Sequence, residues 1–283
     1  MKIMNYKLIC IDMDGTLLNS EHKVSEVSKD TLRKAQNSGV YIVISTGRMY
    51  VDANAFSNVI GIKAPIIASN GAIIKEKNSD EAIYKSVLEE ELSFKLLDII
   101  STYKLKPIFY TPHKAYCGSL SSVILLYRLK LKGVFGKGVK FEYVGTLKKW
   151  HKIFKAEKDN IIKCEIMNLD KLKAEKLRTE LKNLDKFEIA SSTKDNLEIT
   201  CKGVSKGRAV EILSSLYNIA REEVIAIGDS ENDLSMIEFA GMGVAMGNAI
   251  DKVKKRADFI TESNDNEGVA KAVNKFVFKV DNI

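Results

Sequence analysis

The sequence lacks the features that mark several large classes of protein. It has only three prolines and no low-complexity tract, so the composition does not indicate a disordered or repetitive chain. No apolar run approaches the roughly 20 residues that cross a bilayer. The opening stretch, MKIMNYKLICIDMDGT, is too short in apolar length for a secretory signal. We therefore expect a cytoplasmic protein that does not associate with membranes.

Cysteine is also scarce. The four cysteines lie far apart in the sequence and form no Cys-x-x-Cys pair. This spacing argues against a structural zinc site and against a disulfide framework. Cys10 lies within an apolar strand pattern and is expected to be a small, reduced core residue.

The length and the charge distribution suggest two different parts of the chain. At 283 residues, two domains are favoured over one. Residues 83–197 contain 23 Lys/Arg and 14 Asp/Glu, a net charge of +9, whereas the remainder has 21 and 23, a net charge of −2. The basic middle part fits a nucleic-acid-binding surface or a domain that attracts small anions, but most of its lysines are expected to form a solvated surface.

Alternating strands and helices outside the middle part predict a doubly wound, Rossmann-like parallel sheet. Buried strands are predicted over residues 6–11, 40–44, 65–68, 224–227, 243–245 and 258–260, and helices over 25–38 and 206–217. Three of these strands end in polar clusters, at residues 12–16, 45–48 and 228–233. Since ligands bind beyond the carboxyl ends of the strands in open α/β sheets, these clusters are expected to meet.

The middle part has the texture of an α+β insert. Short strands are predicted near 107–110, 114–117, 162–166, 187–191 and 197–200, with helices near 89–103 and 169–184. We predict a catalytic core of residues 1–82 plus 198–283 and an inserted cap of residues 83–197, joined by two crossings that allow a lid to open and close. A basic run surrounds Trp150 and is expected to be a solvated helix face, with substrate contact as the alternative; it comprises Lys148, Lys149, His151, Lys152 and Lys155.

The first polar cluster carries the strongest chemical signal. Asp12 and Asp14 follow a buried strand, and concentrated negative charge at that position favours a hard cation such as Mg²⁺. Asp12 could attack phosphorus, and Asp14 could protonate a leaving oxygen and later activate water. A calcium loop is excluded because Asn19 and Glu21 do not match the EF-hand spacing. Gly15 permits a sharp turn.

The other clusters supply complementary groups. Lys206 precedes a helix and could hold a phosphate beside a carboxylate nucleophile. Asp229 could complete a magnesium site, while Asn232 and Asp233 could bind phosphate, hold metal-bound water or cap the next helix. Thr46 and Gly47 offer a hydroxyl and a backbone N–H for a phosphoryl oxygen. Taken singly these features are weak, but together they indicate phosphoryl transfer.

The combined pattern resembles the haloacid dehalogenase (HAD) superfamily, and within it the Cof-type (subclass IIB) phosphatases with a large α/β cap after the third strand. The motifs that carry the resemblance are Asp12-x-Asp14-Gly15-Thr16, Ser45-Thr46-Gly47-Arg48, Ser69-Asn70-Gly71-Ala72, Gly203-Val204-Ser205-Lys206-Gly207 and Gly228-Asp229-x-x-Asn232-Asp233. Residues 243–249 and 266–270 are also similar to the family. The resemblance covers the core from end to end, whereas the cap matches in length and texture.

This resemblance implies a role for each matching residue. Asp12 would be the nucleophile and a Mg²⁺ ligand, Asp14 the general acid/base and a ligand through its backbone carbonyl, and Asp229 the third protein ligand. The transferring phosphoryl group would be held by the Met13 N–H, Thr46, Gly47, Lys206 and Asn232. Arg48 and Asn70 would lie near the mouth of the site, either touching the substrate or supporting the structure.

The implied activity is magnesium-dependent hydrolysis of a small phosphomonoester through an aspartyl-phosphate, by a protein that is monomeric by default. Sugar phosphates, nucleotides, flavin mononucleotide and pyridoxal phosphate are candidate substrates. A sugar phosphomutase is the alternative within the same fold. A third hypothesis is a non-enzymatic phosphate-ligand or nucleic-acid-binding module, but converging carboxylates do not suit a binder of anions.

Overall fold

The apolar runs of the sequence become the central strands of the structure, a computed structural model that describes residues 6–77, 79, 81–136 and 138–280. In chain order the strands are β1 (Leu8–Ile11), β2 (Tyr41–Ile44), β3 (Ile66–Ala68), β4 (Ile73–Lys75), β5 (Ala82–Lys85), β6 (Ile108–Tyr110), β7 (Lys114–Cys117), β8 (Lys140–Tyr143), β9 (Lys163–Ile166), β10 (Phe187–Ala190), β11 (Leu197–Cys201), β12 (Val224–Gly228), β13 (Met242–Ala245) and β14 (Phe259–Ile260). The α-helices are α1 (Glu26–Asn37), α2 (Tyr50–Ile60), α3 (Glu90–Thr102), α4 (Leu120–Leu131), α5 (Leu147–Ala156), α6 (Lys171–Asn183), α7 (Lys206–Leu216), α8 (Leu234–Phe239), α9 (Asp251–Lys254) and α10 (Gly268–Val273).

A five-stranded parallel sheet in the order β14-β13-β12-β1-β2 forms the centre of the core domain. All four residues of β1 are buried because the strand lies between β12 and β2 and is covered on both faces, which explains its unbroken apolar sequence. The carboxyl ends of β12, β1 and β2 are therefore neighbours. The predicted doubly wound parallel sheet is confirmed.

Helix α1 shows how closely local signals set the element boundaries. The side chain of Ser25 accepts a hydrogen bond from the N–H of Ser28 and so caps the first turn. The helix ends before Gly39, whose positive φ of 94° lets the chain turn into β2. The prediction over residues 25–38 differs from the observed helix only by the two capping residues.

The cap contains a six-stranded sheet in the order β10-β11-β9-β6-β7-β8 and helices α3 to α6. One face of this sheet carries Phe109, Cys164 and Ile199, which pack against apolar residues of α3, α5 and α6. Since side chains alternate along a strand, Lys163 and Glu198 point to the opposite face. That face is turned towards the core domain.

A small antiparallel sheet, β3-β4-β5, connects the two domains. It is linked to β2 by a bridge between Ser45 and Ile67. Strand β11 belongs wholly to the cap sheet, so a boundary between residues 197 and 198 would fall inside it. The limits of the two domains stay predictions, and residues 1–5 and 281–283 of the predicted core lie outside the described residues.

Several elements follow no clear pattern in the sequence. Helix α4 was not predicted, because its apolar residues lie on all of its sides. Strands β4, β5 and β8 have only three or four residues each. The basic run lies on α5, where Trp150 and Phe154 are buried against the outer face of the cap sheet and the lysines are exposed. This placement supports the interpretation of the basic run as a solvated helix face.

In the described part of the chain, no helix has the length and apolar character required to cross a membrane.

Candidate active site

The nucleophile predicted from sequence lies directly beyond the end of the central strand. Asp12 follows β1, and its N–H donates to the carbonyl oxygen of Ile227 in β12 at 3.0 Å. Its side chain is buried, and its Oδ1 accepts a hydrogen bond from Lys206 Nζ at 2.5 Å. Burial, with a contribution from the neighbouring Asp233, raises the pKa of the Asp12 carboxyl well above its usual value.

Lys206 is fully buried and joins two carboxylates. It is the first residue of α7, after the capping residue Ser205, and its Nζ donates to Asp12 Oδ1 and to Asp233 Oδ1 at 2.6 Å. Burial lowers the pKa of Lys206, but the two carboxylates raise it by more, so that the pKa lies above its usual value. The side chain therefore stays an ammonium, with both partners fixed by short charge-assisted hydrogen bonds.

Asp229 completes the acidic cluster from the end of β12. Its Oδ1 accepts from Thr16 Oγ1 at 2.8 Å, and its Oδ2 accepts from Ser230 Oγ at 3.0 Å. Burial, together with the charge of Asp233, raises the pKa of Asp229 to about 6. Gly15 has a φ of +75°, and a Cβ there would lie 2.6 Å from Asp229 Oδ2. Only glycine leaves room for this carboxylate.

The cluster has the chemistry of a magnesium site. Oxygen atoms of Asp12, Asp229 and Asp233 lie within 4.8 Å of one another, and all three residues are buried. Three carboxylates face the single ammonium of Lys206, so two negative charges are left for a divalent cation to neutralise. The donor set fits Mg²⁺, which prefers carboxylate oxygens.

Asp233 accepts hydrogen bonds from backbone N–H groups and an ammonium, whereas Asp229 accepts from two side-chain hydroxyls. Its Oδ2 accepts from the N–H groups of Asp229 and Ser230, both at 2.9 Å, and its Oδ1 accepts from Lys206. Both oxygens are thus engaged in holding the loop after β12 and the lysine. The sequence left open whether Asp233 binds metal or only caps; these contacts favour an organising role.

The candidate phosphate-binding residues lie around Asp12. Thr46 follows β2, and its N–H donates to Ile67 O at 2.9 Å, which fixes the start of the loop. Met13 is fully buried in the turn after Asp12. Asn232 donates through Nδ2 to Asn70 Oδ1 at 3.1 Å, while its buried Oδ1 has no partner among the described residues. Such an orphaned acceptor points to a group that is bound during function.

Asn70 lies behind these residues. Its backbone is left-handed, with a φ of 59°, and its Nδ2 donates to Glu198 Oε2 in the cap. The side chain therefore connects the cap to Asn232 of the core domain. It does not line the cavity that contains Asp12, but together with Asn232 and Lys206 it lines a second cavity. This position favours an orienting role over direct substrate contact, the two possibilities that the sequence left open.

Asp14 and Arg48 form a bidentate pair at the mouth of the cluster. Arg48 Nε donates to Asp14 Oδ2 at 2.7 Å, and Nη2 donates to Oδ1 at 2.6 Å. Although the surrounding protein disfavours the charge, the Arg48 guanidinium lowers the pKa of the Asp14 carboxyl below its usual value. The Asp14 side chain is thus paired with Arg48 and is not one of the three clustered carboxylates, which leaves ligation through its backbone carbonyl as a prediction.

A cavity of about 340 Å³ lies between the core domain and the cap. Its core side includes the catalytic candidates Asp12 and Asp14, and its cap side combines a polar and an apolar surface. The polar lining residues of the cap are Tyr110, Lys163, Glu165, Ser192, Thr193 and Glu198, and the apolar ones include Leu126, Leu129, Phe135 and Met167. The volume suits a small metabolite.

Lys163 was not foreseen as a site residue. Its side chain is only 4% exposed, and its Nζ donates to the carbonyl oxygen of Gly47 at 2.7 Å. Glu198 Oε1 lies 3.7 Å away, and the ring of Tyr110 is centred 4.8 Å away. In the sequence Lys163 is one lysine among many in a basic segment. The only available signal was the alternation of side chains along the strand, which places Lys163 on the face opposite to that of apolar Cys164.

Comparison with known proteins agrees with this geometry. Residues 9–273 match the model of the haloacid dehalogenase-like hydrolases, so the chain belongs to this family. It is a phosphatase of the Cof-type, subclass IIB group. The resemblance inferred from the sequence motifs is therefore confirmed.

Individual relatives cover nearly the whole chain. The 5-amino-6-(5-phospho-D-ribitylamino)uracil phosphatase YcsE of Bacillus subtilis is 31% identical, over 97% of each chain. A haloacid dehalogenase-like hydrolase from B. subtilis has a similar structure, with a TM-score of 0.85, 30% identity and coverage of 95% of this chain and 99% of that one. The subclass IIB sugar phosphatase BT4131 has a TM-score of 0.80 at 25% identity, with coverage of 95% and 98%.

Proposed function

We propose that the protein is a Mg²⁺-dependent phosphomonoester hydrolase that acts through a phosphorylated Asp12. The observation that carries this proposal is the buried contact between Asp12 and Lys206, next to Asp229 and open to a cavity under the cap. A carboxylate held beside a fixed ammonium can meet a phosphate dianion without prohibitive repulsion. Asp12, Asp229 and the backbone carbonyl of Asp14 would hold Mg²⁺, which would offset charge on the phosphoryl oxygens.

The first step forms an aspartyl-phosphate. Binding of the phosphate dianion beside Asp14 raises the pKa of this carboxyl from its lowered value, so that Asp14 takes up a proton. A carboxylate oxygen of Asp12 attacks phosphorus, the bond from phosphorus to the ester oxygen breaks, and Asp14 gives this proton to the departing alcohol. Lys206 and Asn232 hold the phosphoryl oxygens during the transfer, together with Thr46 and the loop N–H groups.

The second step hydrolyses the intermediate. Asp14, now a carboxylate, takes a proton from a water molecule as the water oxygen attacks phosphorus. The bond between phosphorus and the Asp12 oxygen breaks. Inorganic phosphate is released, and the free Asp12 carboxylate is regenerated. Closure of the cap excludes other water from the cavity while the first step proceeds.

We infer that the substrate is a phosphorylated, hydroxyl-rich chain that carries an apolar or flat group. The cap lining divides into a hydrogen-bonding surface around Lys163 and Glu198 and an apolar surface around Phe135 and Met167. The name of the YcsE relative describes a ribityl phosphate attached to a pyrimidine ring, which has both properties. Sugar phosphates, nucleotides, flavin mononucleotide and pyridoxal phosphate match one or both surfaces.

The test measures phosphate release from a panel of these esters with and without Mg²⁺. Wild type is expected to turn over only with the metal, and Asp12→Asn is expected to fall to background because an amide is a poor nucleophile of nearly the same shape. Asp30→Asn is the matched control, since Asp30 is exposed on α1 and, within the described part of the chain, forms an ion pair with Arg33 alone, at 3.5 Å. Failure of the wild type to release phosphate from any ester would contradict the proposal.

The phosphomutase alternative has a distinct outcome. A mutase returns the phosphoryl group to a sugar, so its turnover would depend on glucose 1,6-bisphosphate and would leave little free phosphate. A nucleic-acid-binding module would instead show salt-sensitive binding of DNA or RNA. Both assays use the same protein preparation. Their results therefore distinguish the phosphatase, the phosphomutase and the nucleic-acid-binding module.

A further inference from the structure

Arg48 is tied into more contacts than substrate binding requires. Its side chain is 7% exposed, and two of its nitrogens hold Asp14. The third nitrogen, Nη1, donates to Asp52 Oδ2 at 2.9 Å and to the carbonyl oxygen of Val134 at 2.6 Å. A guanidinium has five N–H donors, and four of them are used here. One N–H donor of the guanidinium therefore remains to contact a substrate.

The partner Asp52 extends this connection into the cap. It lies in the first turn of α2 and is fully buried. Its Oδ1 accepts a hydrogen bond from the N–H of Gly136 at 2.6 Å. Gly136 and Val134 belong to the same cap loop, between α4 and β8, so this loop contacts both members of the Arg48–Asp52 pair.

We propose that Arg48 is a positioning residue that couples contact of the cap loop at Val134 and Gly136 to the orientation of Asp14. The inference rests on the proposed acid/base role of Asp14. One edge of the guanidinium meets Asp52 and the cap loop, and the other edge meets Asp14. Because the group is planar and rigid, fixing one edge fixes the direction of the other.

Movement of the cap changes this arrangement. When the loop leaves the core domain, Arg48 loses the Val134 carbonyl and Asp52 loses the Gly136 N–H. The guanidinium is then held by Asp52 and Asp14 alone, and the orientation of Asp14 is less restricted. Asp14 is thus aligned best when the cap is closed over a substrate, which ties proton transfer to closure.

The dependence on the leaving group separates this role from substrate binding. An alkyl phosphate needs a proton on its departing oxygen, whereas p-nitrophenyl phosphate releases a stable anion and needs little help from an acid. We expect Arg48→Lys and Asp52→Asn to lower the single-turnover rate of alcohol release from an alkyl phosphate by roughly tenfold or more, since general acid catalysis contributes about 10²–10⁴-fold. This rate reports the first step alone, whereas kcat also includes hydrolysis of the aspartyl-phosphate, in which Asp14 acts as the base for either ester. For p-nitrophenyl phosphate we expect little change in the single-turnover rate of p-nitrophenol release, and for both esters the half-saturating concentration is expected to stay near the wild-type value.

The matched control is Arg256→Lys, an exposed arginine whose nearest acidic partner, Glu238, is 3.5 Å away; both rates should be unchanged. Equal losses of the single-turnover rate on the two esters would indicate a merely structural role and overturn the inference. A raised half-saturating concentration with an unchanged maximal single-turnover rate would place Arg48 on the substrate and overturn it as well. Asp52→Asn keeps the size of the side chain, so its result decides the matter if Arg48→Lys does not fold.

Asp14→Asn separates this inference from the proposed function. If Asp14→Asn is selective for the alkyl ester and Arg48→Lys is not, the acid role stands and only the coupling fails. If Asp14→Asn is itself unselective, the acid role of Asp14 fails, and the inference fails with it. Phosphate release by the wild type is measured in both cases.

Discussion

The core domain and the cap line the same cavity with different kinds of structure. The core supplies Asp12 and Asp229 from the ends of neighbouring parallel strands, where the backbone itself fixes their positions. The cap supplies Lys163 and Glu198 from the middle of an antiparallel sheet, where side chains are held by one another.

On the proposed function, this difference separates the residues of the reaction from those of substrate recognition. Groups at strand ends are held by the backbone of the sheet, so they suit chemistry that needs fixed distances. Side chains on a sheet face can be exchanged without changing the backbone, which suits a surface that selects substrates. Variants in the two regions should therefore differ in what they damage.

The largest effect is expected in the core. Lys206→Met leaves Asp12 and Asp233 buried without their cation, and removing one partner of a buried ion pair costs about 3–5 kcal/mol of stability. Urea unfolding without Mg²⁺ measures the loss, and turnover should fall to background. The control is Lys202→Met, since Lys202 is half-exposed and, of the residues that the structure describes, pairs with exposed Asp185 alone; there the change should stay within about 0.5 kcal/mol. Equal stability of the two variants would contradict the role of Lys206.

A smaller and more selective effect is expected in the cap. Lys163→Met removes the ammonium between Gly47 O and Glu198, so kcat/KM should change by about tenfold or more for hydroxyl-rich esters. The ranking of substrates should change with it, while the stabilisation by Mg²⁺ stays the same. Kinetics over the ester panel and thermal unfolding with the metal measure the two properties.

Lys148→Met is the matched control in the cap, because Lys148 is exposed on α5 and lies on the outer side of the cap sheet. Its kinetics should equal those of the wild type. An altered substrate ranking in this variant would show that the solvated-face interpretation of the basic run is wrong. An unaltered ranking in Lys163→Met would remove the recognition role from the cap sheet.

The smallest effect concerns pH. The pKa of Asp229 is raised to about 6 in the folded protein, so the stability from its neutral form is present at low pH and is lost as pH rises through about 6. Without Mg²⁺, the free energy of unfolding should fall by about 1 kcal/mol between pH 5 and 7.5 from this group. Asp12, whose pKa is also raised, acts in the same direction.

Magnesium should reverse this trend, because a bound cation requires ionised ligands. Thermal unfolding at several pH values, with and without Mg²⁺, measures how stability depends on pH in the two conditions. Asp229→Asn should flatten the slope in the metal-free series and weaken the stabilisation by the metal. A metal-free stability that rises over this pH range would contradict the raised pKa.

The sequence predicted the core far better than the cap. Asp12, Lys206 and Asp229 were predicted to meet because strand ends and motifs at fixed offsets are local signals, and the structure brings them together. The same holds for the limits of α1, which its capping residue sets. Roles in catalysis stay predictions, since they depend on a reaction and not on position.

Other features depended on partners distant in sequence. Asp52 reads as an ordinary acid in the first turn of a helix, and only its contacts with Arg48 and Gly136 distinguish it. Glu198 is one residue of a strand whose amide partner, Asn70, lies 128 positions away. Helix α4 has apolar residues all round, so the pattern of one buried face was missing. Contacts between residues far apart in sequence produce no periodic pattern, so the sequence did not predict them.

The distribution of the cysteines has a practical consequence for following the cap. Cys10, Cys117 and Cys164 are buried, and burial raises the pKa of each thiol, to about 12 for Cys117, so these groups should resist alkylating reagents. Cys201 alone is partly exposed, at the end of β11 where the chain returns to the core domain. The chain thus offers a single partly exposed thiol for attaching a fluorophore or spin label, at the point where it passes from the cap sheet to the core domain.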